Sequence, residues 1–543
     1  MHPVNGFISE KKGIYFLQKS YGKPILSTLD KCNDIFNGQW RFISYQKLFL
    51  KASNIASQLS GFSHSHNRIV FLVGNNSPLM VMNFIAALMA DFIPVIFSAP
   101  MTMENPDVFI DKISAAKNIL KPDMILSDTV LIDELSRIDQ YNHVYPMNEG
   151  ELIKQNTVCL PSEYAYLQLT SGSTGGIKAV KVDSITLQNN LIAISQWLHW
   201  QPQHKTVCWL PLNHDMGLVG CLFASIYQQT DLYLLTPEQF IRKPVDYLNC
   251  FTQGQANLSA MPPFGLEHIC KRIKPDQISG MDFSSCHALV VGAQPVTPKI
   301  LNEFEGLLLP AGLKPTCLCP SYGMAENTLA ASGSTPNQRW HFQQHSEQGV
   351  IHDVVSSGYV LNGNNISIVD ETGTEAEEGQ PGEIVIQSNS CTAYFSNKVS
   401  QSSWFLNKST IVTGDYGWIK DRQLYVVGRI GDALKIRGSW VFPEVIENLI
   451  CTLFPELIGK VTVLLGSHQS KDFIVCLLKQ NASRFQQDIE DLIIKKFHDV
   501  NHDVIAVPAN MIERTTSGKP KRRKMWFSYV NGDFNQCVTA LTA

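Results

Sequence analysis

The chain has 543 residues, 44% of them hydrophobic and 17% charged, a balance that excludes extensive disorder. It is too long for one hydrophobic core and suits about three or four domain-sized units. A formal net charge of −4 gives no overall pull toward nucleic acid or an anionic membrane, so neither is expected as a partner. Thirteen cysteines are scattered without a C-x-x-C, the nearest pair being Cys317 and Cys319, which points to a reduced, cytoplasmic protein rather than a disulfide frame or zinc site.

The opening MHPVNGFISEKKG lacks the apolar core of a signal peptide. RIVFLV (68–73) reads as a buried strand, the segment from Ser77 as helix and IPVIFS (93–98) as a second strand. The longest apolar stretch, VMNFIAALMADFIPVIFSAP, is broken by Asp91 and Pro94. It reads as a buried helix running into a strand, so no integral membrane segment is expected. DMILSD, VCWLPL and HALVVGA repeat the strand signal, with helical stretches such as LQNNLIAISQWL nearby, an alternation that predicts parallel sheets covered by helices. The polar, aperiodic stretch 333–350 reads as a long loop or insertion. Beyond residue 358, NISIVD, GEIVIQ and QLYVVG are spaced by glycine-rich and acidic turns, which predicts a small antiparallel or barrel-like section. From Gly431, helix signals (PEVIENLICTLF, RFQQDIEDLIIKKFHDV) mix with strands (KVTVLLG, DFIVCLLK) as in a compact α+β unit.

Six segments carry the chemistry. LTSGSTGGIKAV (169–180) gathers glycines, hydroxyls and Lys178, groups suited to an anion, although neither the Walker spacing nor G-x-G-x-x-G is present. On composition alone, a phosphate loop and a plain polar turn both remain open. VVGAQPV (290–296) puts Gly292, Ala293 and Gln294 at the end of an apolar strand, where ligands dock on open α/β sheets; a strand-ending turn is the alternative. SYGMAENT (321–328) offers the Tyr322 ring for a flat base and the Glu326 carboxylate for Mg²⁺. TGDYGW (413–418) offers Asp415 to ribose hydroxyls. GRIGDALKIRGSWVFPEVIE (428–447) and RTTSGKPKRR (514–523) each set a basic residue beside glycine.

In this order the segments resemble the adenylate-forming superfamily, from SYQKLFLKASNIASQL (44–59) to the final Ser-Gly-Lys. Within it they are most similar to the fatty acyl-AMP ligases, whose wording WLPLNHDMGLVG (209–220) and CPSYGMAENTLAASG keep. The resemblance implies an α/β fold: a large N-terminal domain of two parallel-sheet subdomains plus a small β-barrel-like subdomain, then a small mobile α+β C-terminal domain. Residues 1–428 would form the adenylation domain, 429–438 a hinge about Asp432, and 439–543 the C-terminal domain. It also implies an activity, ATP-dependent conversion of a fatty acid to acyl-AMP with Mg²⁺, then acyl transfer to the phosphopantetheine of an acyl carrier protein.

The implied site has Lys519, Glu326 and His214 as catalytic residues, Glu326 also holding the metal. Thr170, Ser171, Gly172, Ser173, Thr174, Gly175 and Lys178 would hold the phosphates. Gly292, Ala293, Gln294, Tyr322, Gly323 and Met324 would hold adenine, and Asp415 and Arg429 the ribose. The acyl tunnel is expected among LSAMPPFGLEHI (258–269), Met216, Leu218 and Phe223, residues that equally suit ordinary core. Departures from the pattern are Ile177, Ala179, Ser184, Gln294 and Gly431. Polar stretch 333–350 coincides with the insertion these ligases carry, thought to disfavour transfer to CoA. Two alternatives stand beside this reading: an acyl-CoA synthetase, and an amino-acid adenylation domain in which Asp215 would pair with the substrate amine.

Overall fold

A computed structural model describes residues 8–17, 40–62, 68–100, 106–137, 143–151, 163–171, 177–347, 350–395, 405–407, 409–436, 439–469, 471–498, 500–514 and 519–534. The expected phosphate-loop residues Gly172, Ser173, Thr174 and Gly175 therefore lie outside the described residues, as does the side chain of Ser171.

Two sheets dominate. The first has the strand order Val144–Pro146, Met124–Ser127, Ile69–Gly74, Ile93–Ser98, Ala165–Ser171 and Ile177–Asp183, parallel except for the last pair. Its central strand, IVFLVG, is buried at every position, as an apolar run covered on both faces must be. Helix Ser184–Trp197 follows directly because Asp183 caps it, Oδ1 accepting the Ile185 and Thr186 amides at 3.0 and 2.8 Å.

The second sheet holds the parallel series Gly13–Leu17, Asp231–Leu234, Lys205–Cys208, Leu258–Met261, Ala288–Val291 and Leu318–Gly323. Its ladder then continues antiparallel through Ala330–Gly333, Val350–Val360, Gln423–Arg429, Thr410–Lys420, Gly382–Ser388 and Asn364–Val369. The expected antiparallel section is thus hydrogen-bonded onto the edge of the parallel sheet.

The long loop expected at 333–350 is corrected. Phe342–Glu347 is a strand, paired antiparallel with Val350–Val360 from Phe342↔Val355 to Glu347↔Val350. Its composition is polar because it lies at a sheet edge with much of its surface in water, so the apolar half of the usual alternation is missing.

Toward the C-terminus, strands Val461–His468, Lys471–Lys479 and Asn501–Val507 form a separate sheet with helices Pro443–Leu453, Gln486–Lys496 and Arg522–Val530. This unit and the antiparallel section share one apolar cluster, in which Val354, Val427, Phe442 and Val445 are buried together. Tyr416 stacks on Phe442 with ring centroids 5.3 Å apart. Among the described residues no helix is long and apolar enough to cross a membrane.

Candidate active site

The carboxyl ends of the parallel strands open into a continuous cleft of about 1150 Å³, bounded on its other side by the C-terminal unit. Sequence-expected residues that line it are Thr170, Lys178, His214, Ala293, Gln294, Tyr322, Gly323, Met324, Glu326, Asp415, Arg429 and Lys519. Gly292 does not. It lies behind Ala293 against Ser321, where an added Cβ would come within 2.7 Å of Oγ, so its missing side chain serves packing. Ala293 takes a left-handed φ of 67°, a strain of about 1–3 kcal/mol for a residue with a Cβ, and that kink turns the following chain into the cleft.

One wall is a chain of hydrogen bonds. Tyr322 Oη donates to Asp415 Oδ2 at 2.7 Å, and Arg429 Nε donates to Asp415 Oδ1 at 3.1 Å. Burial pushes the Tyr322 phenol well above its ordinary range, with the Asp415 charge adding, so it stays a donor. Asp415 in turn holds Arg429 firmly protonated against its burial, and Glu326 helps. Each Asp415 oxygen keeps a second lone pair for a ligand hydroxyl.

Across the cleft Tyr394 Oη donates to Glu326 Oε1 at 2.8 Å, and Lys178 Nζ lies 5.2 Å from the Tyr394 ring centre. Burial lowers the Lys178 pKa and Arg429 adds to this, while Glu326 opposes it. Thr170 and Lys178 are direct partners in an antiparallel ladder, so the loop between them joins two adjacent strands. Tyr394 is a site residue that sequence reasoning missed. An isolated bridge to Val180 brings it in, and nothing in the surrounding CTAYFSN signals that.

His214 Nδ1 lies 2.7 Å from Asp215 Oδ1, which also accepts the Met216 amide at 2.7 Å. The Met216 amide also lies 3.3 Å from His214 Nδ1, so ring, carboxylate and amide form one local cluster at the start of this turn. Burial works to raise the Asp215 carboxyl, yet His214, the Met216 amide and the Lys519 charge together hold it below the usual range.

Lys519 arrives from the C-terminal unit. It keeps an open face, but that face looks into a cleft walled by protein, and the resulting desolvation pulls its ammonium pKa below the ordinary value. Arg429 pushes the same way, and Asp415, Asp215 and Glu326 oppose it. One cation therefore sits in the field of three carboxylates from three different elements.

Of the expected acyl-tunnel residues, Met216, Leu258, Ser259, Ala260, Pro263 and Glu267 line the cleft. Leu218 and Phe223 do not: both are core, Phe223 packing on Phe84 and Tyr166 at 5.8 Å. Their helical turn, Leu218–Phe223, is π-wound, which redirects the apolar face that an α-helical reading assigns to the tunnel.

Among the described residues no group of three or more His, Cys, Asp or Glu side chains could by itself hold a metal. Asp215 and Asp415 are already engaged by His214 and Arg429, which leaves the Glu326 carboxylate to fit a Mg²⁺ carried mainly by phosphates and water, the way that ion is usually bound.

A ring, a doubly held aspartate and a lysine thus meet at the ends of parallel strands, an arrangement that suits a nucleotide. Residues 21–394 match the model of the AMP-binding enzyme family, and the chain belongs to that family. It is similar to the medium-chain-fatty-acid–[acyl-carrier-protein] ligase JamA of Moorena producens, with 26% identity over 68% of this chain and 69% of the relative. It is 25% identical to the long-chain-fatty-acid–AMP ligase FadD26 of Mycobacterium marinum, covering 92% of this chain and 93% of that one. A solved structure from studies of fatty acyl-adenylate ligases of E. coli and L. pneumophila superposes with a TM-score of 0.83 at 25% identity, over 95% of both chains.

Proposed function

We propose that the protein activates a fatty acid with ATP to acyl-AMP and passes the acyl group to the phosphopantetheine thiol of an acyl carrier protein. The observation that carries this is the convergence of Lys519 with Asp415, Glu326 and Arg429 in a cleft whose deeper part is apolar. The similarity to an acyl-AMP ligase and an acyl-carrier-protein ligase supports both halves of the reaction. Asp215, which an amino-acid substrate would need for its amine, is already engaged by His214.

In the first step a carboxylate oxygen bonds to the α-phosphorus as the bond from that phosphorus to the β-bridging oxygen breaks. Pyrophosphate leaves with the electron pair, and no proton moves. The obstacle is repulsion between two anions, and fixed cations aimed at the developing charge lower it. Lys519 bridges carboxylate and α-phosphate. Lys178, Thr170, Ser171 and the loop Gly172, Ser173, Thr174 and Gly175 hold the outgoing phosphates, and Glu326 would hold a Mg²⁺ that neutralises them. Tyr322 and the Ala293–Gln294 turn flank adenine, with Gly323 and Met324 beside it and Gly292 supporting the turn. Asp415 and Arg429 take the ribose, and His214 orients the acid. In the second step the carrier thiol, having lost its proton, bonds to the acyl carbon and AMP leaves. Residues 429–438 serve as the hinge between the two steps. The cysteines among the described residues are free thiols, which suits work in a reducing cytoplasm.

The test is pyrophosphate release and acyl-AMP detection with fatty acids and amino acids, followed by CoA or a phosphopantetheinylated carrier protein. Acyl-AMP from fatty acids and acyl transfer to the carrier are expected. Acyl-CoA as the main product would overturn the acceptor, and no pyrophosphate with any acid would overturn the whole reading.

A further inference from the structure

The cleft has an arm that nucleotide chemistry does not use. One side is the sheet face carrying Thr206, Leu258, Ala260 and Val290; the other includes Trp197 and Gly220. Thr206 is the register partner of Leu258, the first residue of the strand that ends at Met261. The chemistry sits beyond the carboxyl ends of these strands, so the arm reaches roughly 10 Å beneath that level. Its lining also includes Trp200, and both tryptophans are anchored. Trp197 Nε1 donates to the Ser334 carbonyl at 2.9 Å, and Trp200 Nε1 donates to Thr230 Oγ1 at 3.3 Å. On the cover, Gly220 leaves little slack: an added Cβ would stand 3.1 Å from Leu329 Cδ2.

Thr206 does not belong in so apolar an arm. Only 1% of its surface is exposed, and its Oγ1 is buried without a hydrogen-bond partner. Neighbouring Ser259 shows what a settled hydroxyl does there, donating to the Val207 carbonyl at 2.8 Å and accepting from Tyr247 Oη at 2.8 Å. A buried hydroxyl left unpaired is a standing cost that an apolar side chain of the same shape would avoid, and a substrate oxygen would remove it.

We propose that the arm selects a fatty acid of medium length carrying a hydroxyl or oxo group near its far end, with Thr206 Oγ1 as the hydrogen-bonding specificity residue. This rests on the acyl-adenylate reading and narrows its substrate class. The experiment compares decanoic acid with hydroxydecanoic acids whose hydroxyl is moved stepwise along the chain. Two readouts are taken on the full-length protein: kcat/KM for pyrophosphate release, and calorimetric binding of the acids, which needs no turnover.

Wild type is expected to favour one distal position over decanoic acid by about tenfold in both readouts. Thr206→Val, which keeps the shape and removes the hydroxyl, is expected to erase that preference, and Thr206→Ser to retain it. Absence of any positional preference in wild-type binding, or its survival in Thr206→Val, would overturn the proposal without touching the adenylation reading. A binding preference with no pyrophosphate from any acid would uphold the arm's selectivity and overturn the reaction instead. A flat wild-type positional scan overturns the proposal even if the variants fail to fold.

Discussion

Asp415 and Arg429 face each other as direct partners across two antiparallel strands, so their 3.1 Å bond is set by the ladder itself. Tyr322, from the end of a parallel strand, completes the arrangement. The Asp415 carboxylate is therefore already held from two sides, with no side chain to reorganise.

Tyr322→Phe keeps the ring and removes the donor to Asp415. The KM for ATP is expected to rise, roughly tenfold or more for a bond to a charged partner, while kcat changes less. Steady-state kinetics with ATP varied will read the split. An equal fall in kcat and kcat/KM, with KM unchanged, would mean that the hydroxyl acts on the transition state.

Lys519→Ala is expected to lower acyl-AMP formation about 10²–10³-fold while ATP still binds, as for removal of a donor that acts on developing charge. Because desolvation holds the Lys519 ammonium below its usual pKa, activity should fall at lower alkaline pH than a free lysine would allow. Lys519→Arg should shift that limb upward. A pH–rate profile of the adenylation half-reaction checks both, and normal turnover by Lys519→Ala would remove Lys519 from the mechanism.

Asp128 offers a stability test away from the site. Burial pushes its carboxyl up to about 6, against one amide bond from Asn75 at 3.3 Å. The native state thus binds this proton more tightly than the unfolded chain, and stability falls as pH climbs from about 4 to about 6. Asp128→Asn removes the penalty. It should stabilise the protein by on the order of 2 kcal/mol at neutral pH and by nothing near pH 4. Denaturation at the two pH values measures the difference; a gain independent of pH would exclude the titration as its cause.

Arg522 ties the C-terminal unit together. It reaches Glu444 at 2.8 Å, both oxygens of Glu447 at 2.9 Å, and the Val463 carbonyl at 3.1 Å. Arg522→Met leaves two half-buried carboxylates side by side without their cation, at a cost of about 2–3 kcal/mol, below that of breaking a fully buried pair. Hydrogen exchange should accelerate in 443–453 and 522–530, with the parallel sheets unaffected.

Asp432 ends a single 3₁₀ turn, Ile430–Asp432, immediately after Arg429. Proline there fixes φ and should hinder rotation of the C-terminal unit. Acyl transfer is expected to slow more than adenylation when the half-reactions are timed separately. Equal slowing would argue against a hinge at this point.

The parts of the site legible in the sequence are those whose chemistry is local. The Gly-Ala-Gln-Pro kink, Tyr322 and Glu326 within one short segment, and Asp415 in its glycine-flanked strand each announce themselves by neighbours in the chain. The proposed acyl arm does not. Thr206, Leu258 and Val290 meet only because three parallel strands align in register, and in sequence each looks like any core strand residue. Strand Phe342–Glu347 escaped for the opposite reason, since an edge strand without a fully buried face has no alternation to read.

The unbroken ladder from the parallel strands into the antiparallel ones bears on how chimeras of this family should be cut. A graft exchanging the antiparallel section would tear a row of main-chain bonds at Ala330–Gly333 and expose two raw edges to aggregation. A junction just after Arg429 severs no ladder and asks the recipient to re-seat Phe442 and Val445 against Tyr416, Val354 and Val427.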